Sequence, residues 1–221
     1  MDTHASLTTA RSLTTAALLI AIAALVLFLV LVHVVTAPSV DAFDLRVEQW
    51  CAAHQAPWVH GFFDIVSRLG GTTGMRIVGF ASALLLFVFR SRRLGIGMAA
   101  VVLAGMQAFE IAKRVIARQR PAHGYAVDPT YAFPSGHATI AAAVCGTLAY
   151  VLWRERLLPS AAAIGAGIAL PVIVGISRVY LDMHWATDVA GGWLAGLIIA
   201  CVAAAAYEIA LTRTNRTTLS R

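Results

Sequence analysis

Six stretches of the chain are apolar for long enough to cross a bilayer as helices, at about 12–35, 73–89, 94–117, 136–153, 161–180 and 184–208. Roughly 17–25 apolar residues span the hydrocarbon core, where every backbone N–H and C=O must be satisfied within the segment. The pattern predicts an all-α, polytopic membrane protein with six transmembrane helices. The first run is too long for the apolar region of a signal peptide and has no convincing small-residue cleavage site, so it reads as a retained span ended by Ala37-Pro38-Ser39. Residues 1–11 are polar and expected to be disordered.

Between the first two spans the pattern changes. Phe43, Leu45, Val47, Trp50, Ala53 and Trp58 alternate with Asp44, Arg46, Glu48 and His54. This predicts an amphipathic helix lying in the interface with its aromatic rings at headgroup level, continued by residues 59–69. A packed loop is the alternative. Gly70-Gly71-Thr72-Thr73-Gly74 breaks the pattern before the second span. Pro171 should kink the fifth span unless neighbours satisfy the freed carbonyl. The Gly192…Gly196 spacing in the sixth lets another helix come close, though an alanine-rich span makes it a weak dimerisation signal.

Composition sharpens this picture. The chain is 59% hydrophobic and 13% charged, where soluble domains carry about a quarter charged residues. We read residues 1–221 as one domain without a soluble appendage. The net charge of +6 does not point to nucleic acid, because much of the excess sits in short connections, where it orients the spans. On one side lie Arg11, Arg90, Arg92, Arg93, Arg154, Arg156, Arg213, Arg216 and Arg221; on the other lie Arg46, Arg68, Arg76 and the cations of the polar clusters described next. At least three of the latter have another use, so both termini are expected in the cytoplasm. Cys51, Cys145 and Cys201 fit no metal spacing and cannot all pair. The last two read as packing residues within spans.

Nearly all the unusual polar residues fall between 113 and 188, in three clusters: Lys113 to Arg120-Pro121; Pro134-Ser135-Gly136-His137; and Ser177-Arg178, then His184 and Asp188. Ionisable residues beside membrane helices usually mark function. Lys113 and Arg120 are two turns apart and would share one face of a helix that ends near Arg120, ahead of Pro121. Snorkelling cations at a span end give the same pattern. Ser135 is placed to cap the fourth span, whose N-terminal amides favour an anion, and Gly136 permits close approach; alone this is also an ordinary capping sequence. His184 and Asp188 stand i, i+4, so that the carboxylate fixes the tautomer of an imidazole able to act as nucleophile or base. An interfacial histidine beside a helix N-terminal acid would look alike. Arg178 is placed to meet the same anion, and His137 to protonate a leaving oxygen. On the predicted topology all three clusters reach the same, extracytoplasmic, level. His123, Tyr125, Asp128 and Tyr131 are weaker candidates for substrate contact; Asp64, His60 and Arg68 either line the site entrance or face water, with water the favoured reading.

Together the clusters resemble the signature of the type 2 phosphatidic acid phosphatase (PAP2) superfamily: K-x6-R-P, P-S-G-H and S-R-x5-H-x3-D. Lys113 to Pro121, Pro134 to His137, and Ser177 to Asp188 match it without a departure, and with the six-span layout the resemblance covers about 73–209. It implies a metal-independent lipid phosphohydrolase without cofactors. His184 would be the nucleophile, Asp188 its orienting acid and His137 the general acid; Lys113, Arg120, Ser135, Gly136 and Arg178 would hold the phosphoryl oxygens. Small six-span members with an outward site commonly recycle undecaprenyl pyrophosphate, the favoured substrate. Phosphatidylglycerophosphate, phosphatidate and diacylglycerol pyrophosphate are alternatives, as is a phosphotransferase using the same histidine or a lipid binder without turnover. The expected partner is a lipid phosphate in the bilayer, not nucleic acid, and the oligomeric state stays open.

Overall fold

The computed structural model describes residues 3–35, 37–121 and 130–219, with side chains at 8–35, 37–121 and 130–213. Among the described residues there are eight helices and no strand: α1 Thr3–Val34, α2 Pro38–Ala53, α3 Pro57–Leu69, α4 Thr72–Phe89, α5 Arg92–Ile116, α6 Gly136–Arg154, α7 Ser160–Tyr180 and α8 Ala186–Leu219. Six of them (α1 and α4 to α8) are long and apolar enough to cross a membrane, so the chain is a multi-pass membrane protein.

The spans match the apolar runs, and the ends differ for local reasons. The polar start of the chain is helical from Thr3, not disordered as its composition suggested. Ser12 and Thr14 donate their hydroxyls to the carbonyls of Thr9 and Ala10, so polar side chains continue the helix without competing for its amides. Thr212 does the same toward Ile209 in α8, which runs beyond the expected end at 208 to Leu219.

α6 is the axis of the bundle, packed against α4, α5, α7 and α8, and more than half of its most apolar window is buried. Met98, Val102, Ile140 and Val144 form the main apolar cluster with Ala83 and Leu86. The small-residue stripe of α8 is used within the chain. A Cβ on Gly192 would lie 2.7 Å from Ala138 Cβ and from Ser135 O, and one on Gly196 would lie 2.5 Å from Ala142 Cβ and Thr139 O. The GxxxG spacing therefore serves the α6–α8 contact, bringing the second and third polar clusters together. α7 runs through Pro171 as one helix, and the Trp193 indole N–H donates to Pro171 O.

The segment between α1 and α4 is two helices, α2 and α3, broken at residues 54–56. Both pack on α7. Tyr180 ties down the break: its hydroxyl donates to His54 O and accepts from Ala56 N, while Gln55 Nε2 donates to Tyr180 O. Cys51 is buried there beside Tyr180 and Leu181, and its thiol is pushed up by burial and by the nearby Asp182 carboxylate. All three cysteines are free.

Candidate active site

The three polar clusters meet at one end of the bundle. Arg120 Nη1 donates to Met183 O at 2.6 Å, joining the first cluster to the third, and Ser135 N donates to Asp188 O at 2.9 Å, joining the second to the third. The second is a backbone–backbone bond, independent of what occupies the site; the first is made by the Arg120 side chain.

Three of the sequence expectations are corrected here. α5 does not continue to Arg120. It stops at Ile116, and Ala117 turns the chain with φ 50° and ψ 34°, a left-handed conformation costing a non-glycine residue about 1 kcal/mol or more. Pro121 already disfavours helix at Arg120, and ending the helix early aims Arg118 inward. Second, Ser135 occupies the N-cap position of α6 but its side chain makes no cap bond. Its hydroxyl is buried without a hydrogen-bond partner, and the cost of leaving it so is about 1–3 kcal/mol.

α8 begins at Ala186, so His184 lies in the turn before it rather than on its face. Asp188, fully buried, is the third residue of α8 and accepts from Trp185 N at 2.9 Å through Oδ2, the reach-back half of a capping box. The same oxygen lies 3.5 Å from His184 Nδ1. On the other side of the ring, Arg120 Nη1 lies 3.3 Å from His184 Nε2. A guanidinium only donates, so this contact assigns the tautomer with Nε2 as acceptor and the Nδ1 proton toward Asp188.

Arg120 also donates to Thr130 O (2.8 Å) and Thr130 Oγ1 (2.9 Å), and Lys113 Nζ to Thr130 Oγ1 (3.3 Å). Arg178, 7% exposed, donates to Ser67 Oγ on α3. A cavity of about 290 Å³ opens beside these groups, lined by His137, Arg178 and Met183, by Gly71, Thr72 and Thr73, and by His60, Asp64, Ser67 and Arg68 of α3. His184 and Arg120 are not part of this lining. Lys113, Arg120, Arg178 and His184 all lie near enough to His137 to act on its charge. Asp64 and Arg68, for which the sequence favours water over the site entrance, line this cavity with His60 and pair with each other at 2.9 Å. Gly71 lets the ring in: a Cβ there would lie 2.8 Å from His137 Nε2. Behind Gly136 stands the Phe109 ring, 3.1 Å from where a Cβ would be. Among the described residues no three His, Cys, Asp or Glu side chains gather as a metal's ligand set would. His123, Tyr125 and Asp128 lie outside the described residues, and Tyr131 is 40% exposed.

The sequence reading missed Asp44, Ser67, Arg118 and Thr187. Arg118 and Thr187 sit at unspecified positions inside the first and third clusters, and Asp44 and Ser67 come from the two helices that no motif touches. Their burial is what the sequence does not show: an acid and an arginine buried in so apolar a chain require partners. Arg118 Nη1 donates to Asp188 Oδ1 (2.7 Å) and Nη2 to Asp44 Oδ2 (2.8 Å). Burial works against its charge, but Asp188 and Asp44 outweigh that and hold the guanidinium above its usual range.

The profile of the PAP2 superfamily matches residues 93–210. The chain is 29% identical over 177 residues to the phosphatidylglycerophosphatase B of Bacillus subtilis, covering 78% of this chain and 87% of that one. It is 30% identical over 182 residues to an undecaprenyl-diphosphatase of Sulfolobus acidocaldarius, covering 77% and 82%. The crystal structure of a PAP2-type phosphatidylglycerolphosphate phosphatase from Bacillus subtilis superposes with a TM-score of 0.73 at 26% identity, over 83% of this chain and 93% of that one. That of Aquifex aeolicus LpxE shares the fold at a TM-score of 0.53 and 24% identity, over 72% and 93%. With its motifs joined at one end of a six-span bundle, the chain belongs to the PAP2 superfamily as a multi-pass membrane phosphatase of that family.

Proposed function

We propose that the protein hydrolyses a lipid phosphate or pyrophosphate through a phosphohistidine on His184, without a metal ion, at the extracytoplasmic face. The observation that carries this reading is the place of the His184 ring, with Asp188 Oδ2 3.5 Å from Nδ1 and Arg120 Nη1 3.3 Å from Nε2. The acid orients and charges the ring; the arginine marks where an anion belongs. An arriving phosphoryl group takes over the Arg120 contact and exposes the Nε2 lone pair to phosphorus. The Nε2–P bond forms as the P–O bond to the leaving oxygen breaks, and His137 gives that oxygen a proton. Water, deprotonated by His137, then cleaves the phosphoenzyme and releases phosphate. Lys113, Arg120, Arg178, the Ser135 hydroxyl and the Gly136 amide at the start of α6 stabilise the charge on the transferring group.

A cavity of about 290 Å³ admits a headgroup but not a polyprenyl or diacyl tail, which stays among the helices in the bilayer. Undecaprenyl pyrophosphate is the favoured substrate, supported by the Sulfolobus relative. Phosphatidylglycerophosphate is the second reading, supported by both Bacillus matches. Outward orientation follows from the cations at the opposite end of the bundle, among them Arg90, Arg92, Arg93, Arg154 and Arg156.

The test is phosphate release by the purified protein in detergent with EDTA, across undecaprenyl pyrophosphate, phosphatidylglycerophosphate, phosphatidate and a water-soluble ester. Turnover with EDTA and a clear lipid preference are expected. Activity restored only by added divalent metal, or no release from any substrate by folded protein, overturns the reading.

A further inference from the structure

Asp188 does not stand alone behind His184. Its Oδ1 accepts from Arg118 Nη1, and the far side of that guanidinium donates to Asp44 of α2 at 2.8 Å and reaches Asp41 at 3.4 Å. Asp44 is 1% exposed and Arg118 7%. Asp44 also accepts from Thr187 N at 3.1 Å and from the Thr187 hydroxyl, while Arg118 Nη1 donates to Thr187 Oγ1 at 2.8 Å. The Trp185 ring covers the guanidinium, 5.7 Å from centroid to Cζ. The charges therefore alternate inward from α2: Asp44 negative, Arg118 positive, Asp188 negative, then the His184 ring.

From this geometry we propose that Arg118 and Asp44 are positioning residues for the histidine nucleophile, and that α2 belongs to the catalytic apparatus. The inference rests on His184 being the nucleophile. Arg118 fixes one oxygen of Asp188, so that the other points at Nδ1. Asp44 neutralises the far side of Arg118. Without Asp44 the full charge of Arg118 falls on Asp188, and the carboxylate supports less positive charge on the ring as the N–P bond forms. Without Arg118, Asp188 loses the bond that sets its orientation, and a misplacement of about 1 Å in such a group lowers turnover by roughly 10²-fold. Neither residue touches substrate, so the loss belongs in kcat and not in KM.

Asp44 also has a structural use, since it caps the N-terminus of α8 through Thr187 N. Asp44→Asn keeps an oxygen for Thr187 N but loses the charge and puts an NH₂ where an oxygen now accepts from Arg118, so it tests the ion pair while sparing the cap. Full-length variants in detergent, assayed on the best lipid from the substrate panel, give the test. Asp44→Asn is expected to lower kcat by roughly tenfold in the folded protein, with KM within about twofold and a melting temperature lower by several degrees, because a buried ion pair is broken. Arg118→Ala is expected to lower kcat by about 10²-fold, with Arg118→Lys recovering part of the loss, because one ammonium replaces the charge but cannot serve Asp44 and Asp188 together. The double variant Asp44→Asn/Arg118→Lys should be no worse than Arg118→Lys, since the residues act as one unit. If Arg118→Ala does not fold, Asp44→Asn and Arg118→Lys decide. A kcat within twofold of wild type in Asp44→Asn, a loss confined to KM, or losses that add in the double variant would overturn the proposal. His184→Ala, run alongside, distinguishes the failures: if it keeps turnover, the nucleophile assignment fails first; if it is dead while Asp44→Asn is unaffected, only the inference about α2 fails.

Discussion

Both ends of the bundle bury a carboxylate against arginine, and they do so differently. At the motif end, Asp188 is fully buried beside Arg118, which Asp44 balances in turn. Lys113, Arg120 and Arg178 gather near His137, where Lys113 and Arg120 donate to Thr130 and Arg178 donates to Ser67. At the other end, Glu208 is fully buried and accepts from Arg154 and Tyr150, while Glu155 accepts from Arg90 and Tyr207. Each acid there has its arginine and its tyrosine. The neighbouring groove is larger, about 620 Å³, but lined mostly by residues such as Met98, Val101, Ile198 and Val202. Three cations beside a small cavity suit a phosphoryl group; ion pairs beside an apolar groove hold the ends of a helix bundle together.

The largest effect expected at the motif end is for His184→Ala, which removes the proposed nucleophile and should lower kcat by at least about 10⁴-fold while leaving the fold intact. The check is turnover together with trapping of an acid-labile phosphoenzyme in wild type. Appreciable activity in the variant would end the phosphohistidine reading. Next is Gly71→Ala. Its Cβ would sit 2.8 Å from His137 Nε2 and 2.6 Å from Ser67 O, so the ring and the α3–α4 turn must shift, at a cost of roughly 10²-fold in kcat. Gly97→Ala, with nothing within 4 Å of the new Cβ, is the comparison and should keep wild-type kinetics. Equal behaviour of the two would mean that His137 does not need its present place.

Much of this contrast was legible in the sequence. Apolar runs of span length force helices in lipid, and each of the six appears within a few residues of its expected place, apart from the two extended terminal helices. The spacing inside the three clusters named the residues that meet at one end. Illegible was whatever depends on where a polypeptide turns without glycine or proline: Ala117 at φ 50° redirects Arg118 inward, and no residue pattern announces it. Equally silent was α2, whose Asp44 looks like one more charge among Arg46 and Glu48 until its burial is seen. The i, i+4 spacing of His184 and Asp188 correctly implied a contact, yet through a capping turn and not a helix face.

Ser135→Ala sharpens the comparison from the other direction. The hydroxyl is buried without a partner in the free protein, so removing it costs no interaction there and relieves an unsatisfied group. If it donates to a phosphoryl oxygen in the transition state, kcat/KM falls about tenfold, the worth of one hydrogen bond to a charged acceptor. The melting temperature should stay the same or rise slightly. A variant that loses stability and keeps activity would make Ser135 a structural residue.

The smallest effect on catalysis is expected at the opposite end, in Glu208→Gln. Glu208 accepts from Tyr150 Oη at 2.8 Å and from Arg154 Nε and Nη2 at 2.6 and 3.2 Å. The amide keeps one acceptor oxygen but turns an NH₂ toward a donor and leaves Arg154 without its counter-charge. Breaking a buried pair costs several kcal/mol, but the Arg154 side chain is 26% exposed and can turn toward water, so about 2 kcal/mol is expected. The melting temperature in detergent should fall by several degrees. The kcat/KM of the folded fraction should stay within twofold of wild type, because the charge network at that end does not reach His184. A tenfold loss of kcat in well-folded protein would show that the two ends are energetically coupled through α6 and α8, and the division between a catalytic end and a structural end would have to be withdrawn.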